Sequence, residues 1–273
     1  MANESSDNAY NWFNVPRWYL WEGGYLLIGR AQGAVPLHSH HAIQIVIALD
    51  GTHAIRGENE EWRQGAGIIV GADTPHSFDA RGALGAMLFV DPESSEGAWL
   101  NASVAGKIQI IPAQRLESCV AALRTFVERP LEGMQIRELV RHCVQSLSSG
   151  APRSRGIDPR VTKVLNEIRD ADELRITLET AAGMACLSPS RFAHLFKYQT
   201  GLPFRKYMLW RKLTRAMVLI GGNRSIADAA YAADFADAAH LTRTFHQMVG
   251  LAPSALMRGE FTEIESPFNL TNS

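Results

Sequence analysis

TLETAAGMACLSPSRFAHLFKYQTG, residues 177–201, and SIADAAYAADFADAAHLTRTFHQMVG, residues 225–250, decide how this chain is read. Each opens on a short alanine-rich helix, passes a tight turn and closes on a second, amphipathic helix that ends in glycine. In the first unit Thr177 caps the leading helix, because its hydroxyl can take an orphan backbone N–H. Ser188 caps the second helix, with Pro189 at a first helical position where its missing N–H costs nothing. Phe192, Leu195 and Phe196 share one face, while Ser190, Arg191, Ala193, His194 and Lys197 fall elsewhere. In the second unit Ser225 and Asp228 have capping-box spacing, and Asp237 is placed to cap the helix after it. Leu241, Phe245 and Val249 form its core face; Ala238, Ala239, His240, Thr242 and Arg243 face outward. The stretch PFRKYMLWRKLTRAMVLI, residues 203–220, joins the units and carries Arg205, Lys206, Arg211, Lys212 and Arg215. Two helix-turn-helix patterns joined by a basic helix imply one polypeptide reading two neighbouring major grooves of double-stranded DNA.

Charge partitions along the same line. The chain has 273 residues and a net charge of −1. Residues 1–150 carry net −5, residues 151–259 carry +7 and the tail carries −3. A basic module joined to an acidic one fits a DNA-binding domain attached to something that need not touch DNA. No apolar run approaches the ~20 residues that span a bilayer, and MANESSDNAY lacks the basic and apolar regions of a signal peptide. We therefore expect a cytoplasmic protein with no membrane partner. Cys119, Cys143 and Cys186 form no CxxC pair and read as reduced, packed thiols.

Residues 25–90 read differently. YLLIGRA, IQIVIAL, THAIRG, GIIVGA and GAMLFV are apolar or alternating runs about ten residues apart, the pattern of a small sandwich or jelly roll. From Ala113 the period becomes helical: Leu116, Val120, Leu123 and Val127, then Ile136, Leu139, Val140, Cys143, Val144 and Leu147. SSGAPRSRG, residues 148–156, has no apolar period and reads as a linker. Seven aromatics (Tyr10, Trp12, Phe13, Trp18, Tyr19, Trp21, Tyr25) crowd the first 25 residues. They imply an arm that either caps a barrel mouth or lies on the outside of the sheet.

Residues 158–257 resemble the DNA-binding domain of the AraC/XylS family of transcription regulators. The resemblance rests on LSPSRFAHLFKYQTG, on the R-K-L-T-R-A of the joining helix, on SIADAAYAADF and on HLTRTFHQMVGLAPS. It implies base contacts at Ser190, Ala193 and His194 in the first unit, and at Ala238, Ala239, His240, Thr242 and Arg243 in the second. Arg191, Lys197 and Arg211 join the set as basic groups for phosphates. It also implies a homodimer, formed through the helices at 116–127 and 136–147, with RNA polymerase as a further partner. Three positions depart from the pattern. Asp234 stands where glycine usually makes the turn, Ala236 replaces a capping serine, and His246–Met248 replace a basic stretch. The second unit is therefore expected to read sequence weakly.

Residues 33–51 resemble the first cupin motif, with His38, His40 and Gln44 at its ligand positions, and residues 71–78 resemble the end of the second, with Pro75 and His76. Three converging imidazoles could hold a divalent metal such as Zn, Ni, Fe or Mn. The same groups could orient a small organic effector, or pack as core histidines. Gln44 removes a charged ligand. His41 and His53 are expected at the surface or at strand ends, and His142 on an exposed helix face.

The sequence thus predicts a two-domain α+β protein. Residues 1–112 form a cupin-like sensor barrel with an aromatic arm, 113–147 a helical pair for dimerisation, and 148–157 a linker. Residues 158–258 form a tandem helix-turn-helix domain and 259–273 a tail whose last dozen residues are expected to fray. The expected function is sequence-specific transcription regulation in response to a small-molecule or metal effector, without enzymatic activity. The competing class is a metal-dependent cupin enzyme with an appended helical domain.

Overall fold

Strict alternation along the N-terminal strands builds two cores from one sheet. In β4 (Ile43–Ala48) all six residues are buried. Ile43, Ile45 and Ile47 join one apolar cluster, and Val46 joins another on the opposite face. Side chains of a strand point alternately to its two faces, so a strand buried on both sides reads as a continuous apolar run. The same division runs through β1 (Arg17–Trp21), β2 (Gly24–Arg30) and β9 (Leu84–Val90). Trp18, Leu20, Tyr25, Leu27, Met87 and Phe89 face inward, and Tyr19, Trp21, Leu26, Ile28, Leu88 and Val90 face the helices.

This computed structural model describes residues 17–21, 23–30, 33–104, 106–128, 134–148, 157–171, 173–249, 252–258 and 260–263. The other strands are β3 (Ala34–His38), β5 (His53–Gly57), β6 (Arg63–Gly65), β7 (Gly67–Val70), β8 (His76–Asp79), β10 (Ile108–Ile111) and β11 (Glu260–Glu263). They form a seven-stranded sheet of order β10-β7-β4-β9-β2-β1-β11 and a four-stranded sheet of order β3-β8-β5-β6. Together they make a jelly-roll-like sandwich. The helices α1 (Ser95–Val104), α2 (Glu117–Glu128) and α3 (Met134–Leu147) cover the outer face of the larger sheet.

The aromatic arm is corrected in part. Trp18, Tyr19, Trp21 and Tyr25 belong to β1 and β2 and are built into the sheet. Tyr10, Trp12 and Phe13 lie outside the described residues. So does almost all of the expected linker. The tail is corrected as well: Glu260–Glu263 are not frayed but pair in parallel with Arg17–Leu20, adding an edge strand to the barrel sheet. The apolar stripes of α2 and α3 are consumed within the chain, since Cys119, Leu123, Phe126, Ile136, Val140, Cys143 and Val144 are all nearly or fully inaccessible. Their width reflects α2–α3 packing as well as the sheet beneath.

The C-terminal half is helical: α4 (Pro159–Asp170), α5 (Leu178–Met184), α6 (Pro189–Thr200), α7 (Phe204–Gly221), α8 (Ile226–Ala232) and α9 (Ala238–Val249). The long α7 runs through its centre, with Trp210, Leu213, Ala216 and Met217 almost fully buried. No helix among the described residues is long and apolar enough to cross a membrane.

Candidate nucleic-acid interface and histidine cluster

The two helix-turn-helix units are built on the same local geometry. In the first, the N–H of Leu187 reaches the carbonyl of Ala182 at 2.9 Å, and Cys186 takes φ +53°. In the second, the N–H of Phe235 reaches Ala230 at 2.9 Å, and Asp234 takes φ +60°. Both are Schellman-type helix ends, with the left-handed residue in place. Asp234 replaces glycine at a position that glycine adopts freely, and its side chain offsets the strain. One carboxylate oxygen accepts the N–H of Leu174 at 2.9 Å and the other accepts Arg175 Nε at 2.7 Å. Lys212 Nζ donates to the Asp234 carbonyl at 2.9 Å, so this turn is tied to α7.

The caps fall where the sequence implies. The hydroxyl of Thr177 accepts from Thr180 N–H at 3.2 Å, and that of Ser225 accepts from Asp228 N–H at 3.1 Å. Ser188 caps α6 through the N–H of Arg191. With Ala236 unable to cap, Asp237 Oδ1 accepts from His240 N–H at 2.6 Å. Each such cap contributes about 1 kcal/mol to its helix.

On α6, Ser190, Arg191, His194 and Lys197 are exposed and Ala193 is half-buried. Phe192 and Phe196 are inaccessible and stack on Phe204 of α7 at centroid distances of 5.7 and 5.2 Å. On α9, Ala239 and Arg243 are exposed, and Ala238, His240 and Thr242 are half-buried. The His240 ring lies edge-on to Phe235, and the Thr242 hydroxyl donates to the Ala238 carbonyl. That bond turns Thr242 back onto its own helix.

Arg211 is the exception among the expected DNA contacts. It is 5% exposed and lines a cleft of about 350 Å³ between the two domains, beside Asp91, Glu93 and Tyr207. Arg215 is buried too, so of the basic residues on α7 only Arg205 and Lys206 are exposed. An amphipathic helix with a basic run looks like a phosphate-binding face from sequence. Here Arg211 turns toward the acidic residues of the barrel and Lys212 toward the Asp234 turn instead. Sequence reasoning also missed two aromatics of this domain, Tyr198 (71% exposed) and Tyr231 (83% exposed).

The barrel contains a second constellation. His38 and His76 are cross-strand partners on β3 and β8, with ring centroids 4.3 Å apart. A register shift between Val35 and His38 sets this pairing. His40 follows β3, and its ring lies 5.1 Å from that of His76. Gln44 sits on β4, one residue out of phase with the isoleucines, and so points into the lumen. Its Oε1 is 3.0 Å from Nε2 of both His40 and His76. Potential ligand atoms of His38, His40 and His76 all lie within 4.8 Å of one another. Burial holds all three imidazoles below the usual histidine range, His38 at about 4, and mutual repulsion adds to this at His38 and His76. The lumen beside them is an apolar cavity of about 30 Å³, lined by Trp18, Tyr25, Phe78, Met87, Phe89 and Val249 among others.

His41 is corrected: it is buried in the bend between β3 and β4, not at the surface. His53 stands at a strand end as expected, the first residue of β5, and is buried there. His53 Nδ1 stands 3.2 Å from the Ala80 carbonyl under the Phe78 ring. His41 sits at the domain boundary. Its Nδ1 donates to Asp73 at 3.1 Å and its Nε2 to Glu93 at 2.6 Å, and its ring lies edge-on to Tyr207 and Trp210 of α7. Burial opposes its charge, but the Glu93 and Asp73 carboxylates outweigh that and raise it to about 10. Beside it, Trp210 Nε1–H donates to Asp91 Oδ1 at 3.1 Å. Asp91 is raised by burial and by Glu93, and drawn back by Arg211 and His41. His142 is exposed on α3 as expected.

Comparison with known proteins is consistent with this division. Residues 181–259 match a helix-turn-helix domain family. The arabinose operon regulatory protein of Escherichia coli is 30% identical over 106 residues, covering 38% of this chain and 36% of that one. The chain therefore spans about a third of that relative's length. The HTH-type transcriptional activator RhaS of Citrobacter koseri is 24% identical over 254 residues, covering 84% of this chain and 89% of that one. Among solved structures, ToxT from Vibrio cholerae superposes with a TM-score of 0.56 at 11% identity, over 86% of this chain and 98% of that one. A ToxT structure with bound unsaturated fatty acid superposes with a TM-score of 0.52 at 12% identity, over 86% of this chain and 94% of that one. These last two show a shared fold.

Proposed function

We propose that this chain is a helix-turn-helix regulator of the AraC/XylS type, and that it controls transcription by binding promoter DNA in response to an effector held by its N-terminal domain. The observation that carries the reading is the pair of matched turns at Cys186 and Asp234, each followed by a second helix with exposed polar residues, Arg191, His194 and Lys197 on α6 and Arg243 on α9. A helix so presented can enter a major groove, and two of them on one domain read adjacent grooves. In this reading Ser190, Ala193 and His194 approach base edges while Arg191 and Lys197 hold phosphates. Ala238, Ala239, His240, Thr242 and Arg243 form the second, weaker reader. Arg211 is left out of the DNA-facing set and assigned to the domain boundary.

The effector would act by population shift. It binds one arrangement of the two domains better, and so changes the fraction free to engage DNA. The relatives are transcription regulators, and the chain is read as a regulator rather than as a metal-dependent cupin enzyme. The proposal includes a homodimer, RNA polymerase as a partner and a cytoplasmic location. Because the stripes of α2 and α3 are filled internally, a dimer would have to pair through their polar outer faces. A single 30 kDa species by sedimentation at micromolar concentration would remove the dimer.

The test of the main reading is footprinting of the purified chain on the intergenic DNA upstream of its own coding sequence. Protection of two patches one helical turn apart per chain is expected, with affinity falling steeply as salt rises. Protection of a single patch, or none, would refute tandem reading.

A further inference from the structure

The cleft of about 350 Å³ at the domain boundary shares no lining residue with the barrel lumen. One wall is the turn between β9 and α1, which carries Asp91 and Glu93. That turn is fixed through its backbone. The N–H of Asp91 donates to the Gly23 carbonyl at 2.8 Å, and the hydroxyl and N–H of Ser94 donate to the Asp91 carbonyl at 2.7 and 2.9 Å. The other wall is helical. Thr162, Asn166 and Arg169 of α4 recur at four- and three-residue spacing and so share one face, as do Tyr207 and Arg211 on α7. Glu96 and Arg137 also line the cleft, but they pair with each other at 3.2 Å. The barrel therefore supplies an acidic wall and the helices a basic one.

Size and charge select the occupant. The lumen offers about 30 Å³, the volume of roughly one water. The cleft falls within the roughly 300–1,000 Å³ of small-molecule sites. On the acidic wall, Asp91 already accepts from Trp210 Nε1–H at 3.1 Å. Glu93 is only 8% exposed along its side chain; its Oε1 accepts from His41 at 2.6 Å, and its Oε2 has no hydrogen-bond partner among the described residues. A buried carboxylate oxygen without a donor is costly, so this wall calls for one. On the basic wall, the Arg169 and Arg211 guanidiniums only donate, in a fork that matches a carboxylate. A molecule with an ammonium at one end and a carboxylate at the other suits both walls. A simple anion or cation would suit one of them, and a neutral polyol would answer neither charge.

We propose that this cleft binds a small zwitterion of the amino-acid type, its ammonium on Glu93 and its carboxylate on Arg169 and Arg211, and that this molecule is the effector. The second half rests on the regulator reading above and places the effector at the outer edge of the barrel, not in its lumen. The ligand bridges the β9–α1 turn to α4 and α7. It therefore binds the docked arrangement of the domains better than a separated one, in which each end would have to do without the other wall. That difference in affinity is what a population shift requires. Arg211 lies on α7, the helix that joins the two helix-turn-helix units, so a hold on it acts on the element that carries both.

The experiment uses the full chain, with the common amino acids as probes in thermal-shift and calorimetric titration, each binder repeated as its N-acetyl and carboxamide derivatives. Stoichiometric binding of at least one amino acid is expected, with either derivative at least about tenfold weaker. Glu93→Gln should weaken binding by about tenfold or more. Where that variant fails to fold without its charge against His41, Arg169→Ala serves, since that side chain is 38% exposed. The bound amino acid should change affinity for the upstream DNA by about fivefold or more. A chain that melts cooperatively and shifts DNA but binds no amino acid at millimolar concentration overturns the site and leaves the regulator reading standing. Equal binding of the N-acetyl derivative, or of sorbitol, overturns the zwitterion. Binding left unchanged by Arg169→Ala puts the ligand elsewhere and overturns the site as well. Equal DNA affinity with and without the amino acid overturns the effector role. A chain that binds the amino acid but no DNA refutes the regulator reading while the site survives.

Discussion

Replacing Asp234 with the glycine that the family usually carries should weaken the protein, not strengthen it. At φ +60° a non-glycine residue pays a steric cost, about 1 kcal/mol and at the low end for Asp. Glycine removes that cost. It also removes the carboxylate that accepts the N–H of Leu174, a residue 1% exposed. A hydrogen bond to a charged group contributes about 1.5–3 kcal/mol net, and glycine's freedom in the unfolded chain costs about 0.4–1 kcal/mol more. The balance is a loss of about 1–3 kcal/mol for Asp234→Gly. Asp234→Ala loses the same bond and keeps the strain, so about 3 kcal/mol is expected. The exposed Arg175 partner adds nothing to this reckoning. The assay is urea denaturation followed by far-ultraviolet circular dichroism, with unchanged slope as the control for two-state behaviour. The predicted order is wild type, then Gly, then Ala. An Asp234→Gly variant as stable as wild type would show that the Leu174 and Arg175 contacts are incidental, and that the aspartate is merely tolerated.

The remaining predictions concern the two sites. Arg191→Ala and Lys197→Ala should weaken binding evenly across DNA sequences, each lowering the salt slope by about 0.9; a sequence-selective loss would place them on base edges instead. His194→Ala should cost about 1–3 kcal/mol at one base pair and relax preference there, and Arg243→Ala should cost less discrimination. The reverse order in a selection experiment would make the second unit the stronger reader. Trp210→Phe removes the bond to Asp91 and should loosen the domain boundary, seen as faster proteolysis between residues 148 and 157. Unchanged cleavage would mean that this contact does not hold the domains together.

Much of the DNA-binding half was legible because its determinants are local. Caps at Thr177, Ser188, Ser225 and Asp237 act within one helical turn, and core positions recur at helical spacing. The left-handed turn at Asp234 followed from the resemblance, which puts a glycine there, and from the tolerance of aspartate for that conformation. The histidine cluster was picked out by resemblance to the cupin motifs, which put His38, His40, Gln44 and His76 together. His41 was misread because it neighbours a ligand-like histidine in sequence yet belongs to a different site. Its partners, Asp73, Glu93, Tyr207 and Trp210, are 32 to 169 residues away, and no local pattern marks such a meeting.

The amino-acid order by itself determined a strand-rich half, a helical half and two tandem turns, since each follows from periods of two or 3.6 residues and from capping chemistry within a few positions; the histidine set followed from the resemblance to the cupin motifs. Which charged groups face DNA was decided only in three dimensions. Arg211 has the same local signature as a phosphate-binding arginine, and it is withdrawn because the barrel brings Asp91 and Glu93 against α7. The placement of Val249 over the lumen and of residues 260–263 on the edge of β1 was decided the same way. Both need surfaces from opposite ends of the chain, and such long-range complementarity is written in packing rather than in any window of sequence.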